Sequence, residues 1–310
     1  MPSWNDLLDQ FDEAQKHPDE WLRGTLVDML LSVSTRRGGR NVAIYGSAFL
    51  QKPQAPPQNL QLSHEDINGF MSTIYEMDYS KGLALILHTP GGVTNAAETI
   101  VNYLRSKFSD FEVIIPAFAM SAGTMISLGA DRIIMGRQSQ LGPIDPQMPV
   151  PAAGRTMSAR AIVDQFEEAK RQIAEDTTAA HAWAPILATL GYGMLREAEN
   201  ALNYGERMVA EWLTRYMFAG APNAEADAKA AANHFNDAQL HMSHGRRIDR
   251  NEARQFKVEV EDLEDDQNLQ ECVLSAYHLA TIIFERTAVT RFIATSHGRQ
   301  WVKSWAPADG

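Results

Sequence analysis

Two short stretches of this chain hold residue types that can do chemistry. Phe118 to Ile126 (FAMSAGTMI) sets a lone serine, Ser121, among small residues where an apolar extended run passes into a helical pattern. Leu87 to Val93 (LHTPGGV) is a second apolar run, ending in a tight glycine turn. Amide hydrolysis needs a nucleophile, a base and hydrogen-bond donors aimed at the oxyanion. A serine at a strand-to-helix corner can expose its hydroxyl at the sheet edge. The next N–H then faces a bound carbonyl, and the helix N-terminus adds positive potential. Small residues such as Ala122 and Gly123 would let a substrate backbone approach, and the Pro90-Gly91-Gly92 turn offers unhindered amides. Both turns read equally well as plain connections, and a Gly-Gly turn before a helix also suits a phosphate. Spacing alone does not choose among these.

The elements that position the two turns follow from periodicity. Residues 1–38 read as two helices, with Trp4, Leu7, Leu8 and Phe11 at helical spacing and Pro18 in a first turn. A short strand over 41–45 precedes a Pro/Gln-rich loop, 52–59, expected to be exposed and mobile. Ser63 and Asp66 resemble a capped helix start, with Ile67, Phe70, Met71 and Ile74 on one face. Strands over 82–88, 112–119 and 131–136 then alternate with helices over 96–104 and from about Ser121. Short, continuously apolar strands alternating with helices imply parallel pairing with both sheet faces covered. The parallel turns would share one C-terminal sheet edge, where open α/β sheets place their sites. From Ser158 the pattern turns helical, with Ile162, Phe166, Ala169 and Ile173 on one stripe. Residues 243–253 break it, and an amphipathic helix over 269–284 follows. The expected organisation is a helical segment over 1–38, an α/β core over 39–157, and a helical extension over 158–310.

Composition bounds the possibilities. The 310 residues, 45% hydrophobic and 22% charged, are those of an ordinary globular chain able to bury a large core. A formal charge of −11 with no dense basic run argues against nucleic acid as a partner. One cysteine, Cys272, excludes an internal disulfide and fits a reducing compartment; its apolar neighbours suggest a structural thiol. The start, MPSWND, has no apolar leader region, and no apolar run reaches the roughly 18 residues that span a bilayer. A cytoplasmic protein is the expectation.

Three runs carry a family resemblance: Leu85 to Ile100 (LILHTPGGVTNAAETI), Pro116 to Ile126 (PAFAMSAGTMI) and Ile134 to Gln147 (IMGRQSQLGPIDPQ). They resemble the serine dehydrogenase proteinase family, relatives of signal peptide peptidase A within the Clp protease/crotonase superfamily. Likeness continues in 69–71, 243–248 and 269–278, so it covers roughly 40–290. The resemblance implies a layered parallel sheet with flanking helices and an added helical region. It implies a serine peptidase with Ser121 as nucleophile, an oxyanion hole lined by Gly91 and Gly92, and the Ala122 N–H as a further donor. The name implies no dehydrogenase, and no G-x-G-x-x-G motif occurs.

The base follows from the same resemblance. Proteolytic subunits of Clp proteases carry a histidine some two dozen residues after the serine; here 145 − 121 = 24 reaches Asp145 instead. Counting back from Ala253, where their aspartate would fall, reaches His244–Gly245. The two partners then stand exchanged in chain order, His244 as base and Asp145 as its orienter. Signal peptide peptidase-like relatives use a lysine, but 158–168 contains none and Lys170 lies where the helix leaves the site. His241 and His244 lack a third metal ligand at useful spacing, so neither a metal nor a cofactor is expected. His88 reads as a strand-end residue and His278 as a core or interface histidine. Two rivals remain at this stage. One is a crotonase-like enzyme holding an acyl-thioester enolate in the same turns; the other is a non-catalytic peptide- or partner-binding homologue. The expected partners are a peptide or protein substrate, further copies in a homo-oligomer assembled through 158–310, and a separate ATPase or partner protein; with no nucleotide-binding motif present, hydrolysis of ATP is not this chain's own work.

Overall fold

A computed structural model describes residues 3–14, 18–151 and 154–307; the first two residues, used above in reading the leader, lie outside them. The chain begins with α1 (Trp4–Glu13), α2 (Pro18–Arg36), β1 (Asn41–Ser47), α3 (Pro57–Leu60), α4 (Asp66–Thr73), β2 (Leu83–His88) and α5 (Thr94–Lys107). Next come β3 (Phe111–Ile115), β4 (Phe118–Ala119), α6 (Ala122–Leu128), β5 (Arg132–Met135), β6 (Gln140–Leu141), β7 (Gln147–Val150) and β8 (Arg155–Ser158). Helices α7 (Ala159–Glu175), α8 (Ala180–Ala188), α9 (Met194–Arg215), α10 (Ala224–Asn236), α11 (Ala238–His241) and α12 (Arg250–Gln255) follow. The last elements are β9 (Val260–Asp262), α13 (Gln267–Arg286), β10 (Val289–Thr295) and β11 (Gln300–Ser304).

The chain divides into two compact units, residues 1–141 with 248–310, and residues 142–247. The first holds a seven-stranded sheet in the order β11-β10-β1-β2-β3-β5-β9. From β1 through β9 every pairing is parallel, while β10 runs antiparallel to β1 and β11 to β10. This is the layered α/β sheet with flanking helices that the alternation of elements predicts. The strands β1, β2 and β3 are buried along their whole length, as continuous apolar runs in a doubly covered sheet must be. Leu26, Leu30 and Val33 of α2 and Val273, Ala276 and Phe284 of α13 cover one face, packed with Val42, Ile44, Ile86 and Ile114. Trp4 donates its indole N–H to Thr281 at 3.0 Å, so α1 docks on α13 within this unit. The second unit holds the antiparallel β7–β8 hairpin and α7 to α11. Its core gathers Val150, Ala159, Ile162, Leu190, Ala198 and Leu202.

Three local features differ from the sequence expectations. The expected strand over 112–119 is split into β3 and β4 around Pro116; proline has no N–H to give a ladder. Residues 289–304, inside the expected helical extension, form two strands of the main sheet. The loop over 52–59 contains the short α3 and is pinned: the Lys52 ammonium donates to the carbonyls of Phe284, Thr287 (2.6 Å) and Val289 (2.9 Å). Those are orphan carbonyls at the end of α13 and the start of β10, which a lysine can satisfy.

Candidate active site

Ser121 sits between β4 and α6 with φ 52 and ψ −114. Positive φ is uncommon for serine and costs of order 1–3 kcal/mol. A sharp strand-to-helix corner of this kind is how a nucleophilic serine is lifted clear of its neighbours. The corner is closed by Thr89 N donating to Phe118 O (2.9 Å), Met120 N to Thr89 O (3.1 Å) and Gly123 N to Met120 O (2.8 Å). Ser121 is half-buried, and its side chain caps no helix N–H. The hydroxyl is therefore not spent as an ordinary cap.

The glycine turn lies directly against this corner. A Cβ on Gly91 (φ 96) would stand 2.6 Å from Ser121 Cβ and from Met120 O, and 3.0 Å from Ala122 N. A Cβ on Gly92 (φ 154) would fall on the carbonyl of Leu62 and 2.6 Å from its nitrogen. Both positions admit only glycine. The three expected oxyanion donors are not equivalent. Gly91 N–H already donates to the Thr89 hydroxyl at 3.1 Å. The Gly92 and Ala122 N–H groups have no acceptor among the described residues. Buried backbone donors rarely stay unpaired, and Ala122 is fully buried, so this pair is suited to an oxygen brought by a ligand. The small residues expected to admit a substrate backbone instead let the two turns pack. Ala122 is enclosed, and a Cβ on Gly123 would come 2.5 Å from Thr89 Cγ2.

In the second unit, Asp145 and His244 meet. His244 Nδ1 lies 2.7 Å from Asp145 Oδ1, and Gln147 Nε2 donates to Asp145 Oδ2 at 2.7 Å. A carboxylate accepts hydrogen bonds, so the ring proton lies on Nδ1 and the Nε2 lone pair is left as a base. The Asp145 side chain is 2% exposed and that of His244 30%, a buried anchor under an accessible imidazole. Ile144 N bonds to Phe235 O and Ala159 N to Pro146 O, both at 2.8 Å, which fixes the backbone on either side of Asp145. The His244 loop leaves α11 through Met242 at φ 60 and turns on Arg246 N donating to Ser243 O at 3.1 Å.

Other candidates have different surroundings. His241 has both ring nitrogens committed, one to Arg246 (2.8 Å) and one to the His234 carbonyl (2.7 Å), so it steadies the loop. Lys170 pairs with Glu167 at 2.9 Å on an exposed face of α7. His88 ends β2, 1% exposed, with neither ring nitrogen hydrogen-bonded, among Phe49, Phe118 and Tyr277. Burial pushes its pKa down to about 3. Burial likewise lowers that of the half-buried His278 and raises that of the Cys272 thiol, leaving the cysteine a poor nucleophile. Sequence reasoning overlooked Thr89, Gln147 and Leu62. Thr89 stands two positions before Gly91 and Gln147 two after Asp145, so both were within the motifs. Nothing local marks Leu62.

Residues 60–183 match the family described as ClpP-like SDH-type serine proteinases, a span that includes Gly91, Gly92, Ser121, Ala122 and Asp145. An uncharacterized protein of Methanocaldococcus jannaschii is 33% identical over 153 residues, 47% of this chain and 49% of that protein. A second uncharacterized protein of the same organism is 48% identical over 64 residues, 21% of this chain and 22% of that one. The chain thus spans about half the length of the first relative and less of the second. Among solved structures, a serine-to-alanine mutant of the 1510-N membrane-bound stomatin-specific protease is similar with a TM-score of 0.39 and 19% identity. The match covers 68% of this chain and 79% of that one. No helix among the described residues is long and apolar enough to cross a membrane. The family match supports a peptidase, and it is the ClpP-like SDH-type serine proteinases that this chain resembles through the segment carrying both turns.

Proposed function

We propose that the protein is a serine endopeptidase working through an acyl-enzyme on Ser121. The Ser121 hydroxyl attacks the scissile carbonyl while His244 Nε2 takes its proton and later gives it to the leaving amine. Asp145 keeps the ring proton on Nδ1 and stabilises the imidazolium that forms. The carbonyl oxygen, now an anion, accepts from the Gly92 and Ala122 N–H groups, and water then releases the acyl group. Gly91 serves by its lack of a side chain. The observation that carries this reading is the strained Ser121 corner beside two unengaged N–H groups. The substrate is a peptide or protein, delivered in an extended form by a separate ATPase or partner. The chain works as a homo-oligomer. In support, α8 is strongly apolar yet has no buried residue.

The test is labelling by a fluorophosphonate probe alongside peptide turnover. The wild-type chain should be labelled on Ser121, and Ser121→Ala should lose label and turnover while keeping its fold. His244→Ala should slow both by several orders of magnitude. Asp145→Asn should cost up to about 10⁴-fold by presenting the wrong tautomer. Equal labelling of wild-type and Ser121→Ala would end the reading.

A further inference from the structure

The direction of the Gly92 N–H is set from outside the glycine turn. Leu62 N donates to Gly91 O at 2.8 Å, and Val93 N donates to Leu62 O at 2.9 Å. That is a one-residue parallel bridge between Leu62 and Gly92. In a parallel ladder, a residue bracketed in this way turns its own N–H and C=O to the opposite side. Leu62 thus faces Gly92 and leaves the Gly92 N–H pointing away from it. Residues 61–63 belong to no helix or named strand, so something else must hold them.

That hold comes from β10. Arg291, 3% exposed, donates from one guanidinium nitrogen to the Gln61 carbonyl, the Ser63 hydroxyl (3.2 Å) and Asp66 Oδ2 (2.9 Å). Asp66, fully buried, takes the Ser63 N–H on the same oxygen at 2.6 Å. The backbone on both sides of Leu62 is therefore gripped by one ion pair. A buried ion pair is a poor device for stability alone, because well-packed apolar residues often do as well. Here its hydrogen bonds converge on Gln61 and Ser63, the residues on either side of Leu62.

We propose that the buried Arg291–Asp66 pair is a positioning latch, which holds residues 61–63 against the Gly91-Gly92 turn and so aims the Gly92 N–H. Neither residue touches substrate; they act through Leu62. The catalytic consequence rests on the peptidase reading, whereas the mechanical one does not.

The experiment uses the full chain in four forms: wild type, Arg291→Met with Asp66→Asn, Arg291→Lys, and Arg37→Met. The double variant removes both charges together, leaving no uncompensated carboxylate. Arg37 grips the buried Glu112 at 2.6 Å and serves as a stability control with no contact to the turn. Amide exchange at Leu62 and Val93 should quicken at least about 10-fold in the double variant, with the amides of β2 and β3 unchanged. Its kcat should fall about 100-fold with KM within twofold, as expected for a misaimed oxyanion donor. Arg291→Lys keeps the charge on a shorter side chain and should recover part of both; it carries the same readouts if the double variant does not fold. Arg37→Met should lose stability and keep kcat. Unchanged exchange at Leu62 and Val93 would overturn the latch. Exchange needs no turnover, so a wild-type chain inert to peptide and probe counts against the proposed function instead.

Discussion

Replacing Gly91 by alanine tests whether the two turns form one unit. The new Cβ would lie 2.6 Å from Met120 O and Ser121 Cβ and 3.0 Å from Ala122 N, at a residue whose φ is 96. The backbone strain is worth roughly 1–3 kcal/mol, and inserting a methyl into a packed corner adds about 1–3 kcal/mol. A destabilisation of roughly 2–6 kcal/mol is expected if the corner does not move. Gly298→Ala is the control, since Gly298 has φ 77 but nothing within 4 Å of its would-be Cβ. It carries backbone strain alone, about 1–2 kcal/mol. The difference between the two variants in urea unfolding isolates the steric part. If the corner yields instead, Ser121 is pushed aside, and a displacement near 1 Å costs about 100-fold in turnover. Gly91→Ala that unfolds like Gly298→Ala and also keeps wild-type turnover would refute the geometry.

Acid should weaken the fold through His88, whose pKa is lowered to about 3 while the unfolded chain keeps the ordinary 6.5. The stability is present in full above pH 6.5 and drains as pH falls toward 3, because only the unfolded chain takes up the proton there. The slope is about 1.4 kcal/mol per pH unit, or about 2 kcal/mol lost at pH 5. Urea unfolding at pH 7.5 and pH 5 should show this loss in the wild type and not in His88→Leu; an equal loss in both would exclude His88. Association should depend on α8 and the loop after it, where Ile186 is 42% exposed and Tyr192 fully so. Light scattering at micromolar concentration should give an oligomer for the wild type and a monomer for Ile186→Glu with Tyr192→Glu. A monomeric wild type would contradict it.

The parallel strands β1, β2, β3 and β5 were legible because each is a short, mainly apolar run between turn residues. The glycine and serine turns were legible for the same reason. Strands β10 and β11 were not: β10 carries Arg291 in its middle and finds its partner in β1, some 250 positions away. Asp145 and His244 stand 99 positions apart. Only the counting pattern of a resembled family named both. The positive φ of Ser121 left no trace in residue type, because serine does not favour it. Nor could spacing reveal that the Gly91 N–H is taken by Thr89, since both glycines look equally free as letters. The Ser63–Asp66 start was read as a cap, yet its carboxylate is buried against Arg291, a partner 225 positions on.

The main sheet draws its strands from both sides of an inserted unit, and this sets the order in which the molecule can be built. Strand β1 emerges from the ribosome some 250 residues before one of its two neighbours, β10. Until then β1 presents a bare, apolar edge, the kind of surface that pairs with other chains. Residues 142–247 lie between, with their own core, and can condense while the host sheet is still open. Pairing Ala43 with Thr295 closes a loop of about 250 residues, the sort of distant contact that makes folding slow. A ribosome stalled after α13 would thus release a chain with the serine corner and glycine turn already encoded, but with Arg291 and the sheet's last two strands missing.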